Sequence, residues 1–152
     1  MKSIFQKIIL INLNTIRFNL KYLRLKDALK FPVLISKNVC FLQIQGQVHF
    51  DCSIEFGLVQ IGYGNVGIFD KKRSRTIWEV YGDVTFQGNA FIGHGSKIVV
   101  GPDGSLIIGC NFKITAESSI IAFKKIQFGN DCLLSWQVQM MDTDFHKIKN
   151  EV

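Results

Sequence analysis

One histidine near the end of the sequence follows closely after two acidic residues. Asp142, Asp144 and His146 occupy alternate positions. A nearby carboxylate can fix the tautomer of an imidazole and raise its basicity, which is what a general base requires. Two other histidines precede it: His49 falls in an irregular early strand, and His94 falls in a glycine-flanked turn, where we expect it to point outward. By itself this short pattern is weak evidence, because exposed histidines near acids are common.

The elements that would position this run follow a six-residue period. Large apolar residues lead successive hexads at Phe86, Ile92, Ile98, Ile108, Ile114, Ile120, Phe128, Leu134 and Met140. Such a period suits a solenoid in which the chain runs a short strand, turns a corner, and repeats three times per coil. Half-buried strands of a sandwich are the alternative, and alternation alone does not separate the two. Nine leading positions in phase favour the solenoid.

Stacking the coils predicts three columns of buried side chains. The columns are Phe86, Ile108 and Phe128; Ile92, Ile114 and Leu134; and Ile98, Ile120 and Met140. Two insertions, at 101–104 and 124–125, interrupt the count and are expected at corners. Each corner favours residues that tolerate a positive φ, such as glycine and asparagine.

Several runs resemble the hexapeptide-repeat acyltransferases, most of all the bacterial O-acetyltransferases that modify capsule or lipopolysaccharide sugars. The runs are Ile61-Gly62-Tyr63-Gly64, Val66-Gly67-Ile68-Phe69-Asp70, Arg75-Thr76-Ile77-Trp78-Glu79-Val80, Ile92-Gly93-His94-Gly95-Ser96, Leu134-Ser135-Trp136 and Met141-Asp142-Thr143-Asp144-Phe145-His146. The resemblance covers nearly the whole chain. It implies an all-β fold, a left-handed parallel β-helix with a short N-terminal helical segment. The general preference for right-handed crossovers would point to the other hand.

The resemblance also implies an activity, the transfer of an acetyl group from acetyl-CoA to a sugar hydroxyl in surface polysaccharide biosynthesis. His146 would be the catalytic general base, and Asp142 or Asp144 would orient it or contact the acceptor sugar. Ser135 and Trp136 would form walls of the acceptor pocket. Members of this family are homotrimers with active sites between neighbouring copies, so the resemblance implies a homotrimer.

Members of the family continue beyond this histidine with coils that hold CoA, whereas here only residues 147–152 follow it. We therefore expect a β-helix domain, 32–152, that is incomplete at its C-terminus. The sequence leaves undecided whether this domain binds acetyl-CoA. One alternative is a catalytically inactive β-solenoid remnant. Another is a zinc carbonic anhydrase of the same fold. Catalytic zinc takes three protein ligands, and only His94 and His146 could contribute, so we expect no metal.

Residues 1–31 form the second predicted unit, a basic amphipathic helical segment. Apolar residues recur at helical spacing at Ile4, Ile8, Ile11, Phe18, Tyr22, Leu25 and Leu29. Residues 1–37 hold eight Lys and Arg residues and one acid, a net charge of +7. Because the whole chain has a net charge of +6, residues 38–152 carry −1. Such a helix can cover the open end of a solenoid. Through residues 1–30 it can also touch an anionic membrane surface.

Other sequence features exclude several classes of function. The chain contains no apolar run near the ~20 residues of a spanning helix and no clear signal-peptide cleavage site, so we expect a cytoplasmic protein. The basic run Lys71-Lys72-Arg73 has no interleaved aromatic residues, which argues against nucleic acid. The cysteines are not spaced as in metal fingers. We expect Cys40, Cys52, Cys110 and Cys132 to fill wall positions as small apolar residues.

Overall fold

The computed structural model describes residues 10–145 of the chain. Within that range it contains two helices, α1 (Leu13–Tyr22) and α2 (Leu25–Ala28), followed by fourteen short strands. The strands are β1 (Val33–Ile35), β2 (Val39–Ile44), β3 (Gln47–Phe50), β4 (Val59–Tyr63), β5 (Thr76–Val80), β6 (Asp83–Phe86), β7 (Ala90–Gly93), β8 (Lys97–Val100), β9 (Ser105–Ile108), β10 (Phe112–Ala116), β11 (Ser119–Ala122), β12 (Lys125–Phe128), β13 (Leu133–Trp136) and β14 (Gln139–Met141).

Every third strand joins the same parallel sheet, so the chain winds as a prism with three walls. The first wall has the order β1-β4-β7-β10-β13, the second β2-β5-β8-β11-β14, and the third β3-β6-β9-β12. Each strand pairs in parallel with its equivalent in the next coil. The predicted fold class, a parallel β-helix with a short helical segment, is confirmed.

The register of the strands confirms the stacking of the predicted columns, but the burial of Met140 was predicted wrongly: it is 37% exposed, because no described strand stacks beyond β14. Phe86 pairs with Ile108 and Ile108 with Phe128 in the third wall. The other two columns pair equally, through Ile114 in the first wall and Ile120 in the second. Each column also extends toward the N-terminus, where Phe50, Ile61 and Trp78 continue the third, first and second walls. Apart from Met140, the side chains of these columns pack into one continuous core.

The corner between the first and second walls depends on residues in the left-handed backbone region. Gly95, Glu117 and Gln137 occupy equivalent places in successive coils, with φ of 71°, 48° and 56°. At Gly95 the reason for glycine is also steric, because a Cβ there would overlap the side chains of Ser74 and Glu117. The tight corner therefore brings those two side chains against the backbone of the coil.

The prediction that the cysteines fill the walls is wrong for three of the four. All four thiols are free, and only Cys40 lies in a strand. Cys52, Cys110 and Cys132 lie in the corners that join the third wall to the first. The exposed Cys110 thiol donates to the carbonyl of Gln87 at 2.9 Å. A thiol in a corner can reach a turn carbonyl, which an apolar side chain cannot use.

Helix α1 lies against β1, the edge strand of the first wall, and supplies the hydrogen bonds that another strand would make. The Asn19 side chain donates to the carbonyl of Val33 at 2.7 Å and accepts from its N–H at 3.2 Å. The Thr15 hydroxyl accepts from the N–H of Ile35 at 2.9 Å and lies 3.2 Å from its carbonyl. The helix therefore covers the edge, as a solenoid cap should.

The predicted apolar stripe of this segment is only partly correct. Phe18 is buried and Tyr22 packs against the core, but Leu25 and Leu29 are exposed. The buried face of α1 instead combines Phe18 with the polar pair Thr15 and Asn19, because the surface beneath it is a strand edge with backbone groups to satisfy. In the described part of the chain, neither helix is long and apolar enough to cross a bilayer.

Candidate functional site

Residues 142–145 follow β14 at the end of the last described coil, and this segment is called the rim. Asp142 is its first residue. One carboxylate oxygen accepts from the N–H of Phe123 at 2.7 Å, and the other accepts from the N–H of Lys124 at 2.9 Å. Burial alone would raise the pKa of Asp142, but backbone N–H donors, including those of Phe123, Lys124 and Lys125, outweigh it and lower the pKa. The ionised carboxylate therefore ties the rim to the corner before β12.

A second contact holds the same rim three residues later. The ring of Phe145 meets the ring of Phe123 edge-on, with centroids 5.0 Å apart. The backbone N–H of Phe145 donates to the Thr143 hydroxyl at 3.3 Å. An open depression of about 610 Å³ borders the rim, lined by Lys124, Met141, Asp142, Thr143 and Asp144. The segment that leads to the predicted base is thus fixed at two points and borders this open depression.

His146, the predicted base, lies outside the described residues, directly after Phe145. Its predicted neighbour Asp144 is exposed on the rim. The structure therefore positions the approach to His146, and the role of its imidazole stays a prediction.

Ser135 and Trp136 are exposed at the end of β13, in the corner between the first and second walls. Five residues separate Trp136 from Asp142, and three of them form β14, which alone is about 10 Å long at the usual rise of a strand. Within one chain, the predicted acceptor walls and the acidic rim therefore lie at opposite ends of β14.

His94 differs from the expectation that it points outward. Its side chain is buried, with only 2% of the residue exposed. The loop at 64–75, between β4 and β5, folds over it, and the ring of Phe69 lies edge-on to the imidazole at 6.2 Å. The prediction was wrong because a turn within a hexad is exposed only if no insertion from a neighbouring coil covers it.

The hydrogen bonds of His94 assign its tautomer. Nε2 accepts from the N–H of Val66 at 3.2 Å, so the proton resides on Nδ1. Nδ1 faces the hydroxyl of Ser74 at 3.4 Å, and that hydroxyl bonds to a carboxylate oxygen of Glu117. The bonds connect the loop N–H to the imidazole, the imidazole to the hydroxyl, and the hydroxyl to the carboxylate. They therefore anchor both ends of the 64–75 loop to the corner between the first and second walls.

The environment of His94 favours its neutral form. Burial lowers its pKa below 6.5, the nearby Lys71 ammonium lowers it further, and the Glu117 carboxylate opposes the shift. Neutral imidazole is required for Nε2 to accept from Val66. The sequence signal that could have found this cluster is the long loop at 64–75 directly before the coil that carries His94, because a loop of that length must be anchored somewhere.

Acidic, histidine and cysteine side chains are the usual metal ligands in proteins. Between residues 10 and 145, no group of three or more of these side chains is arranged to hold a metal ion. His49 lies far along the chain from the rim, in β3, where its Nε2 is 3.5 Å from Asp83. The described histidines therefore serve other contacts.

The sequence is similar to a protein of Klebsiella pneumoniae described as an uncharacterized 24.8 kDa protein in cps region. The two are 33% identical over 67 residues, which is 44% of this chain and 30% of the relative. The match thus spans less than a third of the relative's own length. No protein-family model matches the chain, and no solved structure matches it. The chain is therefore a parallel β-solenoid with partial similarity to a protein of a cps region.

Proposed function

We propose that this chain belongs to an O-acyltransferase that transfers acetyl from acetyl-CoA to a sugar hydroxyl, with His146 as the general base. The observation that carries the proposal is the doubly anchored rim. Asp142 and Phe145 hold the segment that leads to His146 against the corner at Phe123. A base must be held within hydrogen-bonding reach of its substrate, and such a rim supports that. The partial similarity to a cps-region protein fits a polysaccharide acceptor.

In this proposal His146 takes the proton of the acceptor hydroxyl as the hydroxyl oxygen attacks the thioester carbonyl carbon. The carbon–oxygen bond forms, the carbon–sulfur bond breaks, and the imidazolium returns its proton to the departing CoA thiolate. Backbone N–H groups stabilise the oxyanion of the tetrahedral intermediate. Asp142 or Asp144 would orient His146 or contact the acceptor sugar, and Asp142 would do so while it holds the corner.

The separation of Ser135 and Trp136 from the rim is consistent with a site shared between copies of the chain. In the homotrimer that we propose, Trp136 of one copy would wall the acceptor pocket beside the rim of the next. The exposed indole of Trp136 suits this role, because sugars pack their apolar faces on aromatic rings while their hydroxyls stay hydrogen-bonded. The trimer is part of the proposal and is tested with it.

The first test replaces the proposed base. The full-length protein is incubated with [¹⁴C]acetyl-CoA and a panel of chemically de-O-acetylated capsular polysaccharides, and incorporated label is counted. His146→Ala should reduce incorporation by at least ~100-fold, since general-base catalysis contributes about 10²–10⁴. The control, His49→Ala, removes a histidine of β3 and should retain wild-type incorporation.

Two results would reject the proposal. Undiminished incorporation by His146→Ala would remove the assigned base. Failure of the wild-type chain to bind acetyl-CoA in calorimetry at millimolar ligand would favour the inactive solenoid instead. Sedimentation equilibrium supplies the third readout, because a monomer at working concentration would leave the shared site without its second wall.

A further inference from the structure

The outer face of α1 carries an apolar stripe that the fold does not cover. Leu13, Ile16 and Leu20 are 83%, 37% and 52% exposed. They follow one another at spacings of three and four, which places them on one side of the helix. The opposite side is the buried face of Thr15, Phe18 and Asn19. The stripe therefore faces away from the prism, and the following Leu25 and Leu29 add further exposed apolar surface.

The segment that carries this stripe is also rich in positive charge. Between residues 13 and 30 the exposed basic side chains are Arg17, Lys21, Arg24, Lys26 and Lys30. Asp27 is the one acid in that range, and its carboxylate pairs with Lys30 at 3.1 Å. The remainder of the chain from residue 38 carries a net charge of −1. The cations are thus concentrated where the leucines are exposed.

We propose that the cap, defined as residues 13–30, docks on the surface of an anionic lipid bilayer. The apolar stripe would enter the boundary between headgroups and acyl chains, and the basic side chains would meet the lipid phosphates. This combination of exposed aliphatic side chains and Lys or Arg is that of helices that lie in the membrane interface. Each basic residue near an anionic surface adds about fivefold to binding.

A bilayer fits this surface better than a second copy of the chain. Two copies meeting through their caps would bring like charges together, whereas the lipid surface supplies the opposite charge. The geometry also keeps the rim accessible. The first wall stacks five strands from β1 to β13, so the last coil would lie about 20 Å beyond β1 at ordinary strand spacing, and farther still from a lipid surface on the outer side of α1.

The apolar contribution is tested by vesicle sedimentation with the full chain. Vesicles contain phosphatidylcholine alone or with phosphatidylglycerol at three parts in ten. Leu13→Gln/Leu20→Gln should weaken partitioning onto the anionic vesicles by about tenfold or more. The matched control, Ile68→Gln/Leu133→Gln, removes two side chains that are each 70% exposed elsewhere, and it should bind as the wild type does.

The electrostatic contribution is tested by charge reversal at two places with the same change in net charge. Arg24→Glu/Lys26→Glu should abolish the preference for anionic vesicles, while Lys72→Glu/Arg73→Glu, in the basic loop, should preserve it. Circular dichroism confirms that each variant is folded. Equal loss in both reversals would reduce the effect to net charge and overturn the proposal. So would wild-type binding that is absent, or a change of oligomeric state in Leu13→Gln/Leu20→Gln.

Discussion

Two acidic side chains hold the corners of this solenoid, and they do so through different donors. Asp142 accepts from backbone N–H groups of the neighbouring coil, whereas Glu117 accepts from the hydroxyl of Ser74. The first fixes the rim that leads to His146, and the second completes the contacts of His94. Residues that sequence reasoning assigns to substrate can thus have a scaffold role, and Asp142 has one whether or not it also meets the acceptor.

Removal of the Asp142 carboxylate should destabilise the last coil. We expect Asp142→Ala to lower the free energy of unfolding by about 1–2 kcal/mol at pH 7, because hydrogen bonds to a charged group are lost from a partly exposed corner. Since the native pKa is lowered, this stability is present above the unfolded value of about 3.8 and is lost as pH falls through the native pKa. Urea unfolding at several pH values measures it.

The control for this prediction is Asp103→Ala, which removes an exposed carboxylate from another corner and should change the stability by less than about 0.5 kcal/mol. A gap between wild type and Asp142→Ala that persists unchanged at strongly acidic pH would contradict the assigned role, since a protonated carboxyl cannot accept those bonds as the ion does.

Acid should loosen the 64–75 loop through His94. Its folded pKa lies below 6.5, so the stability that the neutral imidazole contributes is complete above pH 6.5 and is lost as pH falls through the lowered folded pKa. The wild-type melting temperature should therefore decline more steeply between neutral and mildly acidic pH than that of His94→Gln, which cannot titrate. Differential scanning calorimetry measures both.

A second variant separates this effect from histidine content. His49→Gln leaves the buried imidazole in place and should keep the steep wild-type decline. Parallel pH profiles of wild type and His94→Gln would contradict the prediction.

Helix α1 explains why a hydrophobic pattern misplaced part of the N-terminal segment. The pattern assumes that a covering helix buries its apolar side, but the surface under α1 is the edge of β1, whose N–H and C=O groups need partners. Thr15 and Asn19, one turn apart, supply them. Short polar side chains at such spacing on a helix next to a strand signal could have indicated an edge-capping face.

Loss of Asn19 should be costly for a single amide. Asn19→Ala leaves the N–H and C=O of Val33 without their side-chain partner in a buried place, and we expect the free energy of unfolding to fall by about 2–4 kcal/mol. Leu20→Ala changes the exposed neighbour and should cost much less. Urea unfolding with hydrogen exchange at the Val33 amide tests both, and equal stability of the two variants would contradict the capping role.

Most of the fold could be predicted from the sequence, and much less of the candidate site. A column such as Ile92, Ile114 and Leu134 is set by a local period, because each coil places one large side chain inward and the parallel register stacks it on the last. The contacts of His94 and Asp142 are not periodic. They depend on how a loop or rim folds onto a coil some twenty residues away, which spacing does not encode. The left-handed winding, the trimer and the base His146 stay predictions.

The side-chain bonds on β1 have a consequence for how such a prism can lengthen. With the N–H and C=O groups of Val33 and Ile35 already engaged, an incoming strand finds no partner groups at the edge of β1, and growth of the first wall by strand addition there is blocked. Helix α1 therefore ends the first wall at β1, much as a capping group ends a polymer chain.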